Sequence, residues 1–322
     1  MADNPQFKPI DPEQYPNHWL DVPYAHTDPR QVLDIWLPDE GDGPFPVLMF
    51  LHGGSWFFGD KCENTMPGVF KVMSQGYALV CIEYRLAPAS RWPSQLYDVR
   101  TAIRFIRANA DNYRLDASKI AVMGNSAGAH LACMAAAVGG TSIMKGEELG
   151  YAQVDDSIQC LIGVYSPTDL LKIDEDDWLS IHDLEKVHGY YLADRDSVPD
   201  MEKPHNTLLG YPTRKNPAAA ASAGPINFVT ERFPPTYLIH GICDQLVPYP
   251  QSVALWRKVH DICGAGRAQI ELFPGCVHGD PAMKTDEVMN RILDFVDTHL
   301  WEGEHQRSPL PPDPRTILAS KE

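Results

Sequence analysis

Three segments of this chain carry residue types suited to acyl transfer. A serine lies between small residues in Gly124-Asn125-Ser126-Ala127-Gly128, an aspartate sits in His240-Gly241-Ile242-Cys243-Asp244, and a histidine sits in Pro274-Gly275-Cys276-Val277-His278-Gly279. A serine hydroxyl is a poor nucleophile alone; it needs a base, a group that orients the base, and donors for the oxyanion that forms. The pattern G-x-S-x-G is too common to decide the matter, so its setting must. Ser126 follows the apolar run Lys119–Met123 and precedes the helical run AHLACMAAAV. A sharp strand-to-helix turn there exposes its Oγ at the carboxyl edge of a sheet, with small residues two positions away on each side.

Candidate donors lie upstream. Leu51-His52-Gly53-Gly54-Ser55-Trp56 follows another apolar run, and its glycines allow N–H groups to point inward. The N–H groups of Gly54 and Ser55, with that of Ala127 after the serine, are the expected oxyanion hole. Asp244 and His278 each follow a later apolar run, in the order Ser, Asp, His that suits such a site. Among rivals, His52 and His240 end apolar runs beside glycines and read as structural. His130 lies one turn into the helix and points back along it, and Glu83 reads as satisfying backbone groups. Asp169 is an alternative acid, whereas Asp280 follows His278 too closely to orient it. Trp56, Phe57 and Phe58 after the oxyanion loop, Tyr165, Trp178 and Tyr190 further on, and Val247 in the acid's loop are candidate substrate contacts or, equally, core residues.

The elements that must hold these residues are short apolar runs alternating with helical segments. Residues 46–51, 78–82, 120–123, 158–165 and 236–239 suit parallel strands covered on both faces. Helical periodicity marks 94–109, 126–138, 251–263 and 286–300. Residues 18–37 read as antiparallel strands at one edge. This rhythm predicts one α/β domain over 17–302, flanked by an extended arm at 1–16 and a Pro-rich tail at 303–322. The acidic, proline-interrupted stretch 168–230 breaks the rhythm and reads as a lid or binding insertion.

Composition narrows the class. Of 322 residues, 44% are hydrophobic and 22% charged, as in ordinary globular enzymes, and the net charge of −16 disfavours nucleic acid or an anionic membrane as a partner. No apolar run is long enough to cross a bilayer, and the start shows no secretory pattern, so the expectation is cytoplasmic. Seven cysteines with no C-x-x-C pair read as reduced thiols. Cys243 and Cys276 flank the acid and base loops; if those loops touch, oxidation to a disulfide would misplace Asp244 and His278. No metal or nucleotide motif is present, and no cofactor is expected.

With these residues in view, the sequence resembles the α/β-hydrolase superfamily, specifically carboxylesterases allied to hormone-sensitive lipase and to bacterial feruloyl and acetyl-xylan esterases. The resemblance covers most of 30–300 and rests on HGGSW at 52–56, EYRLAP at 83–88, GNSAGAHLA at 124–132, YSPTDL at 165–170, HGICDQLVP at 240–248 and GCVHG at 275–279. It implies a mostly parallel eight-stranded sheet flanked by helices, with a lid insertion between the sixth and seventh strands, and no cofactor. Ser55 stands where the lipase-like branch has a third glycine, and Glu83 where it often has aspartate. SAGAHL is also similar to arylformamidases. The expected activity is serine-dependent hydrolysis of small or aryl esters, with an arylformamidase-like amidase or small peptidase as the alternative. A non-catalytic binding protein is disfavoured, since such proteins typically lose a triad member. The expected partners are a small-molecule ester and, at most, further copies of the chain in a homo-oligomer.

Overall fold

The computed structural model describes residues 11–61, 66–174 and 199–301, together with His305, Arg307 and Leu310. The strands are β1 (His18–Pro23), β2 (Val32–Trp36), β3 (Phe45–Leu51), β4 (Ala78–Ile82), β5 (Leu115–Asn125), β6 (Cys160–Val164), β7 (Thr236–Gly241) and β8 (Ala268–Phe273). They form one sheet in the order β1-β2-β4-β3-β5-β6-β7-β8. β1 pairs antiparallel with β2 and β2 with β4, and every pairing from β4 to β8 is parallel. The expected antiparallel edge and parallel centre are both present.

The unbroken apolar runs have a direct cause. In β3, Val47, Met49 and Leu51 pack into one hydrophobic layer while Leu48 and Phe50 pack into the other. Side chains alternate across a strand, so a strand with helices on both faces has no position left for a polar residue. One layer holds α1 (Ser94–Ala108), α2 (Ala127–Val138) and α5 (Pro250–Cys263). The other holds α6 (Asp286–Leu300) and the 3-10 segment Pro67–Gln75. α2 is apolar around nearly its whole circumference, as a fully buried helix must be. α6 is amphipathic and starts at Thr285, whose side chain accepts from Val288 N–H, with Asp286 and Glu287 at the positive end of the helix dipole.

The insertion does fall between β6 and β7. Its described part contains α3 (Pro204–Leu209), α4 (Pro217–Ala221) and 3-10 turns, and it is tied to the body of the domain. Trp92 donates its backbone N–H to Leu208 O and its indole N–H to Ser222 Oγ. No helix among the described residues is long and apolar enough to cross a membrane.

Candidate active site

The site forms where β3, β5, β7 and β8 end together, at the carboxyl edge of the parallel strands. β5 runs into α2 with only Ser126 between them, and Ser126 adopts φ 54° and ψ −122°. A non-glycine residue in so sparsely populated a conformation costs about 1–3 kcal/mol, which the surrounding packing must supply. Ser126 N–H donates to Val164 O (2.9 Å), and Ser126 O accepts from His130 N–H (3.0 Å). The flanking glycines allow backbones to meet closely. A Cβ on Gly124 would lie 2.4 Å from Gly128 O, and one on Gly128 only 2.2 Å from Leu51 O. G-x-S-x-G is therefore required twice, for the turn and for the contact of α2 with the end of β3.

His278 reaches the serine from the loop after β8. Its Nε2 lies 3.1 Å from Ser126 Oγ, and its Nδ1 lies 2.6 Å from Asp244 Oδ2. The ring rests beside Tyr165, with centroids 4.4 Å apart, and its backbone N–H donates to Gln245 Oε1. Asp244 is buried, and its Oδ1 accepts from the N–H groups of Leu246 and Val247, both at 2.8 Å. Burial alone would raise this carboxyl's pKa. The charge of His278 and hydrogen bonds from His240 and His278 outweigh burial and hold it well below the usual carboxylate range. Asp244 is thus ionised wherever the imidazole needs a counter-charge.

The loop after β3 packs directly over the serine; a Cβ on Gly53 would lie 3.4 Å from Ser126 Cβ. Gly54, Ser55 and Trp56 have φ of 108°, 53° and 66°, three successive left-handed residues. A Cβ on Gly54 would overlap Phe58 O at 2.0 Å, so this position requires glycine. The carbonyls of His52, Gly53 and Gly54 are engaged by Tyr84 Oη–H, by the His52 ring and by the N–H groups of Phe57 and Phe58. The N–H groups of Gly54, Ser55 and Ala127 donate to no acceptor among the described residues, and such donors suit an anionic oxygen.

The other candidates separate clearly. Tyr165 is buried beneath His278 and takes a hydrogen bond from Asn125 Nδ2 (3.3 Å). Phe57 is 39% exposed. Trp56 is not a pocket wall: it is buried, and its indole N–H donates to His130 Nδ1 at 3.1 Å. Val247 is buried too and acts through its backbone, on Asp244 and on His240. In both cases a bulky apolar side chain gains more from the core than from the site mouth. Trp178 and Tyr190 lie outside the described residues.

His130 crosses from α2 to the insertion, with Nε2–H donating to Ala223 O at 2.6 Å. Burial lowers its pKa to about 4, against the upward pull of that bond. Asp169 Oδ1 accepts from Leu171 N–H and its own N–H donates to Gln251 Oε1, and the carboxylate hydrogen-bonded to His278 is that of Asp244. Asp280 caps a turn through Ala282 N–H. Glu83 binds Arg30, His52 and the N–H groups of Lys61 and Tyr84, which braces the oxyanion loop from behind. Cys243 and Cys276 do meet, Cys243 N–H donating to Cys276 O at 2.9 Å, and both are buried free thiols. Sequence reasoning missed one neighbour: His240 Nε2 lies 3.4 Å from Asp244 Oδ2. The spacing of four residues in H-G-x-x-D was its available signal.

Residues 33–259 match the BD-FAE family. The chain is 30% identical over 253 residues to esterase LipC of Mycobacterium tuberculosis, covering 78% of this chain and 57% of that protein. It is 28% identical to esterase LipQ of the same organism (88% and 63%), and 25% identical to the isoprenylcysteine alpha-carbonyl methylesterase ICME of Arabidopsis thaliana (90% and 64%). The chain therefore spans less than two thirds of the length of these relatives. Among solved structures, a truncated carbohydrate esterase from gut microbiota superposes with a TM-score of 0.78 at 26% identity, over 92% of this chain and 100% of that one. The native Est2 esterase of Thermogutta terrifontis shares the fold at 19% identity, with a TM-score of 0.65 over 90% of this chain and 96% of that one.

Proposed function

We propose that this chain, which belongs to the BD-FAE family of α/β-hydrolase esterases, hydrolyses small or aryl carboxylic esters through a serine acyl-enzyme. The observation that carries the reading is the continuous relay through one imidazole, 3.1 Å from Ser126 Oγ on Nε2 and 2.6 Å from Asp244 on Nδ1. As Ser126 Oγ attacks the ester carbonyl, His278 Nε2 takes its proton. Asp244 holds the Nδ1–H tautomer and stabilises the imidazolium. The N–H groups of Gly54, Ser55 and Ala127 receive the oxyanion. Collapse expels the alcohol, protonated by His278, and leaves an acyl group on Ser126. Water, deprotonated by His278, attacks that acyl group, and collapse returns Ser126 and releases the acid.

The esterase names of LipC, LipQ and the carbohydrate esterase support an ester as substrate. Phe57, 39% exposed just after Ser55 and Trp56, and Leu246, 56% exposed two residues after Asp244, are exposed apolar side chains close in sequence to the site residues. His130 on α2 ties the described part of the insertion to the body of the domain through Ala223 O. Described cysteines that are all free thiols fit a reducing, cytoplasmic setting.

Initial rates on p-nitrophenyl acetate, p-nitrophenyl butyrate, methyl ferulate and N-formylkynurenine test the reading, in wild type and Ser126→Ala. Turnover of an ester, lost by at least about 10³-fold in the alanine variant, is expected. Cleavage of the formamide alone would move the assignment to an amidase, and undiminished activity in Ser126→Ala would overturn the serine mechanism.

A further inference from the structure

A second serine–histidine pair converges on the same carboxylate. His240, at the end of β7, and Ser252, in the first turn of α5, are both fully buried. Ser252 Oγ lies 2.7 Å from His240 Nδ1. His240 Nε2 lies 2.9 Å from Val247 O and 3.4 Å from Asp244 Oδ2. A carbonyl and a carboxylate only accept, so Nε2 carries the proton and Nδ1 accepts from the Ser252 hydroxyl. Val247 N–H in turn donates to Asp244 Oδ1. A closed frame results: the Val247 peptide and the His240 ring brace both oxygens of Asp244, and Ser252 sets the tautomer that makes the brace work.

We propose that His240, oriented by Ser252, is a positioning residue for Asp244. The role rests on the reading of Ser126, His278 and Asp244 given above. Asp244 must present Oδ2 to His278 Nδ1 in one plane while its side chain is buried. The N–H groups of Leu246 and Val247 bind Oδ1, and among the described residues the two imidazoles are the partners of Oδ2. Without His240, Oδ2 keeps His278 as its one partner among the described residues, the carboxylate is held less firmly in the plane of that ring, and the His278 hydrogen bond weakens. The pair is not a second nucleophilic centre, because Ser252 has no access to solvent or substrate.

The test uses the full chain with His240→Leu, His240→Gln and Ser252→Ala, assayed on whichever ester wild type turns over best, beside Ser126→Ala. His240→Leu should lower kcat by about 10- to 100-fold, the rate equivalent of losing a hydrogen bond to a charged group, with KM nearly unchanged. His240→Gln, which keeps an N–H at similar reach, should recover most of that loss. The far-downfield proton resonance of the His278–Asp244 hydrogen bond should weaken in His240→Leu and persist in His240→Gln. Should the leucine variant fail to fold, Ser252→Ala carries the test, with a loss of about three- to tenfold in kcat and a weakened resonance. Wild-type kcat in folded His240→Leu, or an unaltered resonance in His240→Leu or in Ser252→Ala, would overturn the role. Those results with an inactive Ser126→Ala remove only this inference; an active Ser126→Ala removes the serine mechanism beneath it.

Discussion

Ser126–His278 and Ser252–His240 have the same residue types at hydrogen-bond distance and share one carboxylate, yet only the first has the geometry that the proposed mechanism needs. Ser126 sits on a strained turn beside N–H groups that meet no acceptor among the described residues, whereas Ser252 sits in a buried helical turn. His278 is 2.6 Å from Asp244, whereas His240 is 3.4 Å away and gives its better bond to Val247 O. The imidazoles are also reversed, His278 facing its serine with Nε2 and His240 with Nδ1. A triad is therefore a matter of access, oxyanion donors and ring orientation, and residue identity alone does not distinguish it.

The sharpest way to stress this contrast is to disable the carboxylate that both pairs share. Asp244→Asn should cost about 10⁴ in kcat, because an amide no longer stabilises the imidazolium or enforces the Nδ1–H tautomer. A loss smaller than tenfold would show that neither imidazole depends on it. Next comes the paired comparison of serines. Ser126→Ala should lose at least about 10³ in kcat and Ser252→Ala no more than about tenfold; equal losses would erase the distinction between the pairs.

A third imidazole isolates what burial alone does. His130 has its pKa lowered to about 4 by burial, so between about 6.5 and 4 the unfolded chain takes up a proton that the folded chain refuses. Its stability contribution is intact above that window and falls as pH drops through it, by about 3 kcal/mol in all. Denaturant melts at pH 7 and pH 4.5 should show this, and His130→Gln should flatten the difference. A slope unchanged in that variant would mean other groups set it. Asp244 acts lower on the scale: its depressed pKa stabilises the fold above about pH 4 and is lost as pH falls further. The smallest effect concerns Cys243 and Cys276. Burial raises the Cys276 thiol's pKa, so little thiolate is available, and mild peroxide at pH 7 should leave both free-thiol titration and kcat unchanged. Loss of two thiols together with activity would restore a disulfide switch.

Much of the site was legible because its signals are local. The turn at Ser126 needs glycines close in sequence, and an apolar run followed by Gly and a polar residue marks a strand end wherever it occurs. Trp56 was harder to read, since an aromatic beside an oxyanion loop faces substrate or core according to what lies across from it. Here His130, on α2, supplies a buried acceptor for the indole N–H. His240 read as structural, which its burial supports, but its contact with Asp244 depends on how the β7–α5 loop folds back.

The sequence by itself determined the alternation of strands and helices, the conformation demanded at Gly124–Gly128, and the order in which serine, acid and base follow one another. These depend on side-chain periodicity and backbone sterics within a few residues. Only the tertiary structure decided that Asp244 rather than Asp169 meets His278, that Gln251 holds the backbone N–H of Asp169 elsewhere, and that one carboxylate serves two imidazoles. Those choices depend on which loops the sheet order β5-β6-β7-β8 brings side by side, and strand order is set by packing among distant segments.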